Sequence, residues 1–267
     1  MNETPSPYHS DVHVLTVCGP VREENQDAAA AWKADDGDVA LLVADGMGGH
    51  VSGREAAEIV VRSCLDALRS RDGTSWEEAF RAAIAAAQEA VRGASCQGQG
   101  RHAAMGATVA VAVLGELSAA PHLHVAHVGD SRVYLYRGRS LYRLTSDHSL
   151  VAQMVRDGLL GEEEAFGHPD SHVIQRAIGQ TGPLEPEIQA PLPLDAGDVV
   201  ILCSDGLHGA VGDGGLGEIV GRSGSAEEIC RNLLAAALSA GSEDNITIGC
   251  ARLLGERPGR RDTRVPS

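Results

Sequence analysis

Short apolar runs recur along the chain and predict a protein rich in β-strands. Residues 11–17 alternate between polar and apolar side chains, and the later runs are four to eight residues long, which is typical of buried strands. The predicted strands are residues 11–17, 28–32, 39–44, 107–114, 123–128, 133–136, 141–144, 199–203 and 246–253.

Three longer segments place apolar residues at helical spacing and predict amphipathic helices. Each begins with a Ser-x-x-Glu sequence, in which the two side chains satisfy free backbone amides at a helix start. These predicted capping boxes are Ser52–Glu55, Ser75–Glu78 and Ser225–Glu228. A shorter helix is predicted at residues 151–155, within a charged and glycine-rich segment, 146–178, that we expect to be a mobile insertion.

The order of these elements predicts the fold class. Two helices, a series of strands and a third helix follow one another without strand-helix-strand alternation, so we expect an α+β fold with a largely antiparallel sheet system. We find no internal repeat and predict one domain over residues 11–254. Residues 1–10 are expected to be a flexible N-terminus, and residues 255–267 a flexible tail because they have no apolar face.

Composition narrows the possible partners. The 37 acidic residues outnumber the 22 basic ones, which gives a net charge of -15. This charge disfavours nucleic acid or an anionic membrane as a partner, and it is compatible with a site that collects cations. Aromatic residues make up 3% of the chain, so the core must consist of Val, Leu, Ile and Ala.

The cysteines and the lack of a signal sequence or membrane-spanning segment indicate the cellular location. The six cysteines are scattered without a CxxC pair and mostly lie in apolar runs, so we expect small, reduced core residues. The polar N-terminus has no apolar signal core, and no stretch reaches the length needed to span a membrane. The prediction is a soluble cytoplasmic protein.

Aspartates stand repeatedly at the ends of predicted strands. Asp45 and Asp205 end apolar runs and are followed by glycine, and Asp130 ends a third run. Asp27 and Asp244 stand directly before two other strands. One Asp-Gly pair is usually an ordinary turn. Five such aspartates are a pattern: if the strands are neighbours, the carboxylates converge and repel one another unless cations neutralise them.

The all-oxygen character of these ligands selects Mg²⁺ or Mn²⁺. Two such ions roughly 4 Å apart hold a bridging water, lower its pKa and align it for in-line attack on phosphorus. The reaction class that fits is phosphoester hydrolysis without a covalent enzyme intermediate.

Six motifs, in this order, carry a family resemblance. They are residues 22–27 (REENQD), 43–50 (VADGMGGH), 129–132 (GDSR), 145–149 (TSDHS), 203–207 (CSDGL) and 244–247 (DNIT). Together they resemble the bacterial PPM-type (protein phosphatase 2C-like) metal-dependent serine/threonine phosphatases. The resemblance spans residues 11–254.

The resemblance implies a four-layer α-β-β-α sandwich, two packed antiparallel sheets flanked by helices, with a dinuclear Mg²⁺ or Mn²⁺ site at one edge. By motif position Asp45 would bridge both ions and the Gly46 carbonyl would bind one of them. Asp205 and Asp244 would hold the other ion. Asp27 would bind a metal ion or a metal-bound water, and Asp130 would bind a weaker third metal together with Asp205. Arg22 would bind the substrate phosphate. The resemblance also implies a flap beside the site at about residues 150–174.

One departure leaves the general acid open. Some relatives have histidine after the Asp-Gly, whereas this chain has Met47. The proton donor is then metal-bound water, His50, or His168 in the flap. A second departure, Ala107 in Gly106-Ala107-Thr108, is interpreted as a packing detail.

The resemblance also implies phosphorylated proteins as partners, namely a serine/threonine kinase of the same cell and its substrates, and we expect a monomer. Two alternatives remain: a phosphodiester or small-metabolite hydrolase with the same metal site, and a phosphoprotein-binding sensor without turnover. A zinc site at His122, His124 and His127 lacks a fourth soft ligand, so an exposed strand face is favoured there.

Simpler interpretations remain for other motif residues. Arg22 could pair with Glu23 or Glu24 at the surface, and Asp130 could form a turn with Ser131. Residues 147–149 are expected to cap the short helix that follows them.

Overall fold

A computed structural model describes residues 8–35, 37–48, 51–97, 105–116 and 120–255. The strands are β1 Tyr8–Val17, β2 Asp27–Lys33, β3 Val39–Met47, β4 Gly106–Ala107, β5 Val109–Gly115, β6 His122–Val128, β7 Arg132–Arg137, β8 Ser140–Arg143, β9 Glu187–Ile188, β10 Leu192–Pro193, β11 Val199–Cys203 and β12 Ile246–Gly255. The helices are α1 Val51–Arg69, α2 Trp76–Gln97, α3 Leu150–Arg156, α4 Glu162–Ala165, α5 Asp205–Arg222 and α6 Ala226–Ser239.

The strands form two antiparallel sheets in the described part of the chain. One sheet has the order β1-β12-β11-β7-β8. The other has the order β10-β6-β5-β3-β2, with β4 added beside β3 and β9 beside β6. The antiparallel α+β class predicted from the sequence is confirmed.

Three apolar layers hold the sheets and helices together. Val, Leu and Ala side chains from the inner faces of both sheets form the middle layer, which includes Leu41, Val43 and Leu202. Helices α1 and α2 pack on the outer face of the β3 sheet, and α5 and α6 pack on the outer face of the β11 sheet. Because strand side chains alternate between faces, β3 and β11 contribute to two layers each and are buried throughout most of their length. This is the four-layer α-β-β-α sandwich that the resemblance implies.

Helix α5 is a long helix that the sequence pattern does not predict. It contains seven glycines, and glycine costs about 1 kcal/mol relative to alanine inside a helix. Gly212 has a positive φ of 70° and kinks the helix. Leu207, Leu216 and Val220 are nevertheless buried against the β11 sheet, so tertiary packing outweighs the poor local propensity.

The predicted helix starts are confirmed in two of three cases. The Ser75 hydroxyl accepts the Glu78 amide, and the Glu78 carboxylate accepts the Ser75 amide. Ser225 likewise caps α6 by accepting the Glu228 amide. The prediction for Ser52 is wrong, because α1 begins at Val51 and Ser52 lies buried in its first turn.

The predictions for the first strand, the cysteines and membrane-spanning segments are confirmed in part or in full. Strand β1 begins at Tyr8 rather than at residue 11, because residues 8–10 continue the pairing with β12. Four cysteines are buried as predicted, whereas Cys18 and Cys96 are exposed. Within the described residues, the helices are all too short or too polar to cross a bilayer.

Candidate metal centre

The predicted aspartates converge on one cavity of about 220 Å³ at the edge of the sandwich. Asp45 lies near the end of β3, Asp130 directly after β6, Asp205 at the junction of β11 and α5, and Asp244 just before β12. The cavity is lined by Arg22, Gln26, Asp45, Gly46, Met47, Thr108, Asp130, His172, Ile174, Asp205, Asp244 and Asn245. Four of the five predicted aspartates therefore line one cavity, whereas Asp27 is not among its lining residues.

Strand register and close backbone contacts produce this convergence. Asp27 pairs directly with Asp45 in the β2–β3 ladder, so the two residues lie opposite each other. A Cβ at position 46 would overlap the carbonyl of Gly53, and a Cβ at position 206 would overlap the carbonyl of Asn245. Only glycine lets the chain segments approach this closely, which explains the glycine that follows Asp45 and Asp205.

Burial and mutual repulsion raise the pKa values of four of these carboxyl groups. Burial, together with the charges of Asp205 and Asp244, raises the pKa of Asp27 to about 7. Burial and the Asp244 charge raise the pKa of Asp205 to about 6. The pKa values of Asp45 and Asp130 are raised well above the usual range, mainly by burial and then by neighbouring carboxylates. A bound cation would stabilise the ionised carboxylates and so offset both causes.

The donor set fits hard divalent cations. Oδ1 of Asp205 is buried and has no hydrogen-bond partner among the described residues. Asp45, Asp130 and Asp244, which line the same cavity, supply further carboxylate oxygens, and the described lining contains no cysteine. Carboxylate, carbonyl and water oxygens are the ligands that Mg²⁺ and Mn²⁺ prefer, so the residues present fit these ions.

Three residues that the sequence reasoning missed hold the carboxylate-bearing segments in place. The Thr108 hydroxyl accepts the Asp45 amide at 3.1 Å and pairs with Ser131 at 2.7 Å. The Ser204 hydroxyl donates to Asp27 Oδ2 at 2.7 Å and accepts the Thr247 amide. Ser131 and Ser204 stand inside the motifs 129–132 and 203–207, and Thr108 follows Gly106-Ala107, so the motifs contained the signal that could have identified these hydroxyls.

Arg22 lies at the mouth of the cavity and pairs with a carboxylate of the centre. Its Nη2 donates to Asp244 Oδ2 at 2.6 Å, and its side chain is 48% exposed. The surface partner Glu24 considered from the sequence is bound by Arg54 instead. Arg22 is thus anchored beside the carboxylates with part of its guanidinium accessible to a ligand.

A buried ion pair ties the strand after Asp130 to the segment that follows β8. Arg132 donates to both oxygens of Asp147, with the shortest distance 2.6 Å, and also reaches the Tyr134 hydroxyl. The two charged side chains are 15% and 10% exposed. Ser149 caps α3 immediately afterwards, as predicted.

We expect Asp147→Ala to lower the free energy of unfolding by about 3–5 kcal/mol, because it removes the buried carboxylate that binds Arg132 through both oxygens and leaves this guanidinium with the half-exposed Asp213, 3.3 Å away. Denaturant unfolding followed by circular dichroism measures this loss. The matched control is Glu218→Ala, whose partner Arg222 is exposed; this pair should contribute almost nothing. Equal effects of the two substitutions would contradict the structural role of the buried pair.

The two ends of segment 150–174, where the resemblance implies a flap, are hydrogen-bonded to each other beside the cavity. The Leu150 amide donates to the Val173 carbonyl at 2.9 Å, and Ser149 and Ile174 form an isolated β-bridge. His172 and Ile174 line the cavity. His168, a candidate proton donor, instead accepts the Asp170 amide on Nδ1 and is not among the lining residues. His50 lies outside the described residues.

A second, more open groove of about 680 Å³ adjoins the cavity and shares Arg22, Asp205 and Asp244 with it. Exposed apolar side chains of Val21 and Phe166 line this groove. The carboxylate cavity therefore opens into a groove that is large enough to contact more of a ligand than its phosphate group.

The strand β6 histidines are buried rather than exposed, so that prediction is wrong for His124 and His127. His127 stacks on His148 with ring centroids 4.7 Å apart, and Glu187 lies beside them. The Gly129 amide donates to His148 Nδ1, so Nε2 carries the proton that faces Glu187 at 3.4 Å. A metal ion binds the lone pair of an unprotonated ring nitrogen, and Nε2 of His148 is protonated in this arrangement. The three residues therefore favour a hydrogen bond between His148 and Glu187 over a zinc site.

Comparisons with known proteins support the family resemblance drawn from the motifs. The protein phosphatase 2C family profile matches residues 21–227. The serine/threonine phosphatase stp of Listeria monocytogenes is 31% identical over 233 residues, covering 86% of this chain and 90% of the relative. The S. agalactiae serine/threonine phosphatase structure superposes with a TM-score of 0.83 at 28% identity, covering 91% of this chain and 99% of that one.

A further structure is the catalytic domain of the serine/threonine protein phosphatase PstP in complex with two manganese ions. It superposes with a TM-score of 0.80 at 28% identity, covering 92% of this chain and 99% of that chain. The motif resemblance, the four-layer fold and the family match agree. This chain belongs to the protein phosphatase 2C family of metal-dependent serine/threonine protein phosphatases.

Proposed function

We propose that this chain removes phosphate from phosphoserine and phosphothreonine in proteins at a dinuclear Mg²⁺ or Mn²⁺ centre. The observation that carries the proposal is the convergence of four buried or half-buried aspartates and Arg22 on one cavity. A carboxylate cluster of this kind needs cations, and a guanidinium beside it suits a phosphate dianion.

The proposed metal ligands are those that the family motifs imply, and most of them line the cavity. Asp45, the Gly46 carbonyl, Asp205 and Asp244 would hold the two ions. Asp27, opposite Asp45 and held by Ser204, would bind a metal ion or the water around it. Asp130 and Asp205 would form a weaker third site, and the burial of the Asp130 carboxylate in the same cavity supports this site.

The residues of the chain then have separable roles. When bound, the ions supply a water of lowered pKa for attack on phosphorus and offset the phosphate charge. Arg22 binds non-bridging phosphate oxygens and orients the ester for in-line displacement. Thr108 and Ser204 keep the ligand segments in register, so the carboxylates need little rearrangement when a substrate arrives.

The adjoining groove supports a protein substrate over a small metabolite. It extends from the shared residues Arg22 and Asp244 to Val21 and Phe166, which offer apolar contact to residues flanking the phosphoamino acid. We further propose that the chain acts as a cytoplasmic monomer and reverses the action of a serine/threonine kinase of the same cell. The net charge of -15 supports a partner other than nucleic acid.

A substrate panel tests the function. With added Mn²⁺, the purified chain should hydrolyse a phosphothreonine peptide and an aryl phosphate, and it should leave a phosphodiester intact. Peptide binding without turnover would favour a sensor, and faster hydrolysis of the diester would favour a different phosphoesterase.

For Arg22→Ala we expect kcat/KM on the phosphothreonine peptide to fall by about 10–100-fold, since hydrogen bonds to charged groups contribute about 1.5–3 kcal/mol. Arg22→Lys should lie between this variant and the wild type, because a lysine keeps the charge but loses the planar fork. Steady-state kinetics and inhibition by inorganic phosphate measure both effects. Arg54→Ala, which removes an exposed pair with Glu24, is the control; a comparable loss there would argue against a specific role for Arg22.

A further inference from the structure

We propose that His172, at the C-terminal end of the flap segment, donates the proton that the serine or threonine oxygen needs as it leaves phosphorus. This inference rests on the proposed function and names a residue that the sequence motifs did not identify. His172 lines the carboxylate cavity together with Arg22, Asp45 and Asp205.

Elimination among the described lining residues supports His172. Gly46, Met47 and Ile174 have no proton to transfer, and the proposed ligands are ionised when they hold metal. Arginine does not release its proton in proteins, and amide and hydroxyl side chains are poor acids near neutral pH. Histidine is the side chain that changes charge in the physiological range. Among the described lining residues, His172 is thus the one suited to act as general acid.

The backbone on both sides of His172 is fixed. The Val173 amide donates to the Asp170 carbonyl at 3.0 Å, and the Val173 carbonyl accepts the Leu150 amide at 2.9 Å. Ile174, two residues later, is bridged to Ser149 and also lines the cavity. The imidazole therefore stands on a tethered turn at the cavity rim, and its exposed side chain is free to reach a bound ester.

A water that has released one proton to solvent attacks as hydroxide, and its oxygen forms a bond to phosphorus. The bond between phosphorus and the serine or threonine oxygen breaks with its electron pair on the oxygen. That oxygen takes a proton from the imidazolium of His172, which becomes neutral imidazole and is reprotonated by solvent. An aryl ester does not need this proton, because a nitrophenolate is stable as an anion.

The test compares leaving groups in His172→Gln, which keeps a polar side chain but has no transferable proton. In the presence of Mn²⁺, kcat for a phosphothreonine peptide should fall by about 100-fold, the lower range for general acid catalysis. Turnover of p-nitrophenyl phosphate should stay near the wild-type rate. His168→Gln, in the same segment but outside the lining, is the matched control and should show no such split.

Mn²⁺ binding measured by calorimetry provides a readout apart from turnover, and it should be the same in His172→Gln and the wild type. Equal losses on both substrates, no loss on the peptide, or weakened Mn²⁺ binding would each overturn the role of His172. A wild-type protein that binds Mn²⁺ but hydrolyses neither substrate would overturn the proposed function itself, and the two failures are therefore distinguishable.

Discussion

Replacement of Asp45 by asparagine is expected to lower kcat by at least about 10³-fold, because a metal ion contributes several kcal/mol to charge stabilisation and each 1.36 kcal/mol is a factor of ten. The same substitution should raise the melting temperature of the metal-free protein. Burial, and then the charges of Asp205, Asp27 and Asp130, raise the pKa of Asp45 in the folded protein, so keeping this carboxyl there at neutral pH costs free energy that asparagine avoids.

The substitution is expected to lower activity and to raise the stability of the metal-free protein, and a general loss of folding would not produce both effects. Kinetics with a phosphothreonine peptide and Mn²⁺ measure the first effect, and thermal unfolding in the presence of a chelator measures the second. Asp66→Asn, an exposed aspartate on α1, is the control and should change neither quantity. Asp45→Asn with near-normal Mn²⁺-dependent turnover would remove Asp45 from the centre.

Metal removal is expected to have the second largest effect. Saturation of each of two sites at 100 times its dissociation constant stabilises the native state by about 2.7 kcal/mol, and each kcal/mol corresponds to about 2–4 °C in a domain of this size. Chelation should therefore lower the melting temperature by about 10–20 °C relative to the Mn²⁺-bound protein. Differential scanning calorimetry with and without chelator measures the shift, and titration with Mn²⁺ should restore it.

The metal-free protein should also become less stable as pH rises from about 4 to about 7. The pKa values of Asp27 and Asp205 rise from an ordinary 3.8 to about 7 and about 6 in the folded state. Between these limits the native state binds more protons than the unfolded chain, so the free energy of unfolding falls with increasing pH. Stabilisation by Mn²⁺ should increase over the same range, since metal ligands must be deprotonated. A melting temperature in chelator that rises with pH would contradict the carboxylate cluster.

Much of the fold could be predicted because each strand has a recognisable pattern of apolar residues within a short stretch of sequence. The runs that become β3 and β11 are apolar on both faces, and each ends on an aspartate followed by glycine. That pattern also identified the candidate ligands, because carboxylates placed at several strand ends can share one edge of a sandwich. The structure brings these residues together in the cavity.

Helix α5 and the buried histidines were harder to predict for a shared reason. The glycines of α5 disfavour a helix locally, and only burial of Leu207 and Leu216 against a sheet outweighs that cost. His127 appeared to lie on an exposed face because a strand period cannot reveal the ring of His148 that covers it.

The sequence by itself indicated the family, the positions of most strands along the chain and the candidate carboxylate ligands, because motifs and apolar periodicity are properties of neighbouring residues. Only the tertiary structure decided that Arg22 pairs with Asp244, 222 positions away, and that His172 rather than His168 lines the cavity. Those choices depend on which distant segments meet in space, and side-chain direction there is set by packing and turn geometry rather than by the local pattern.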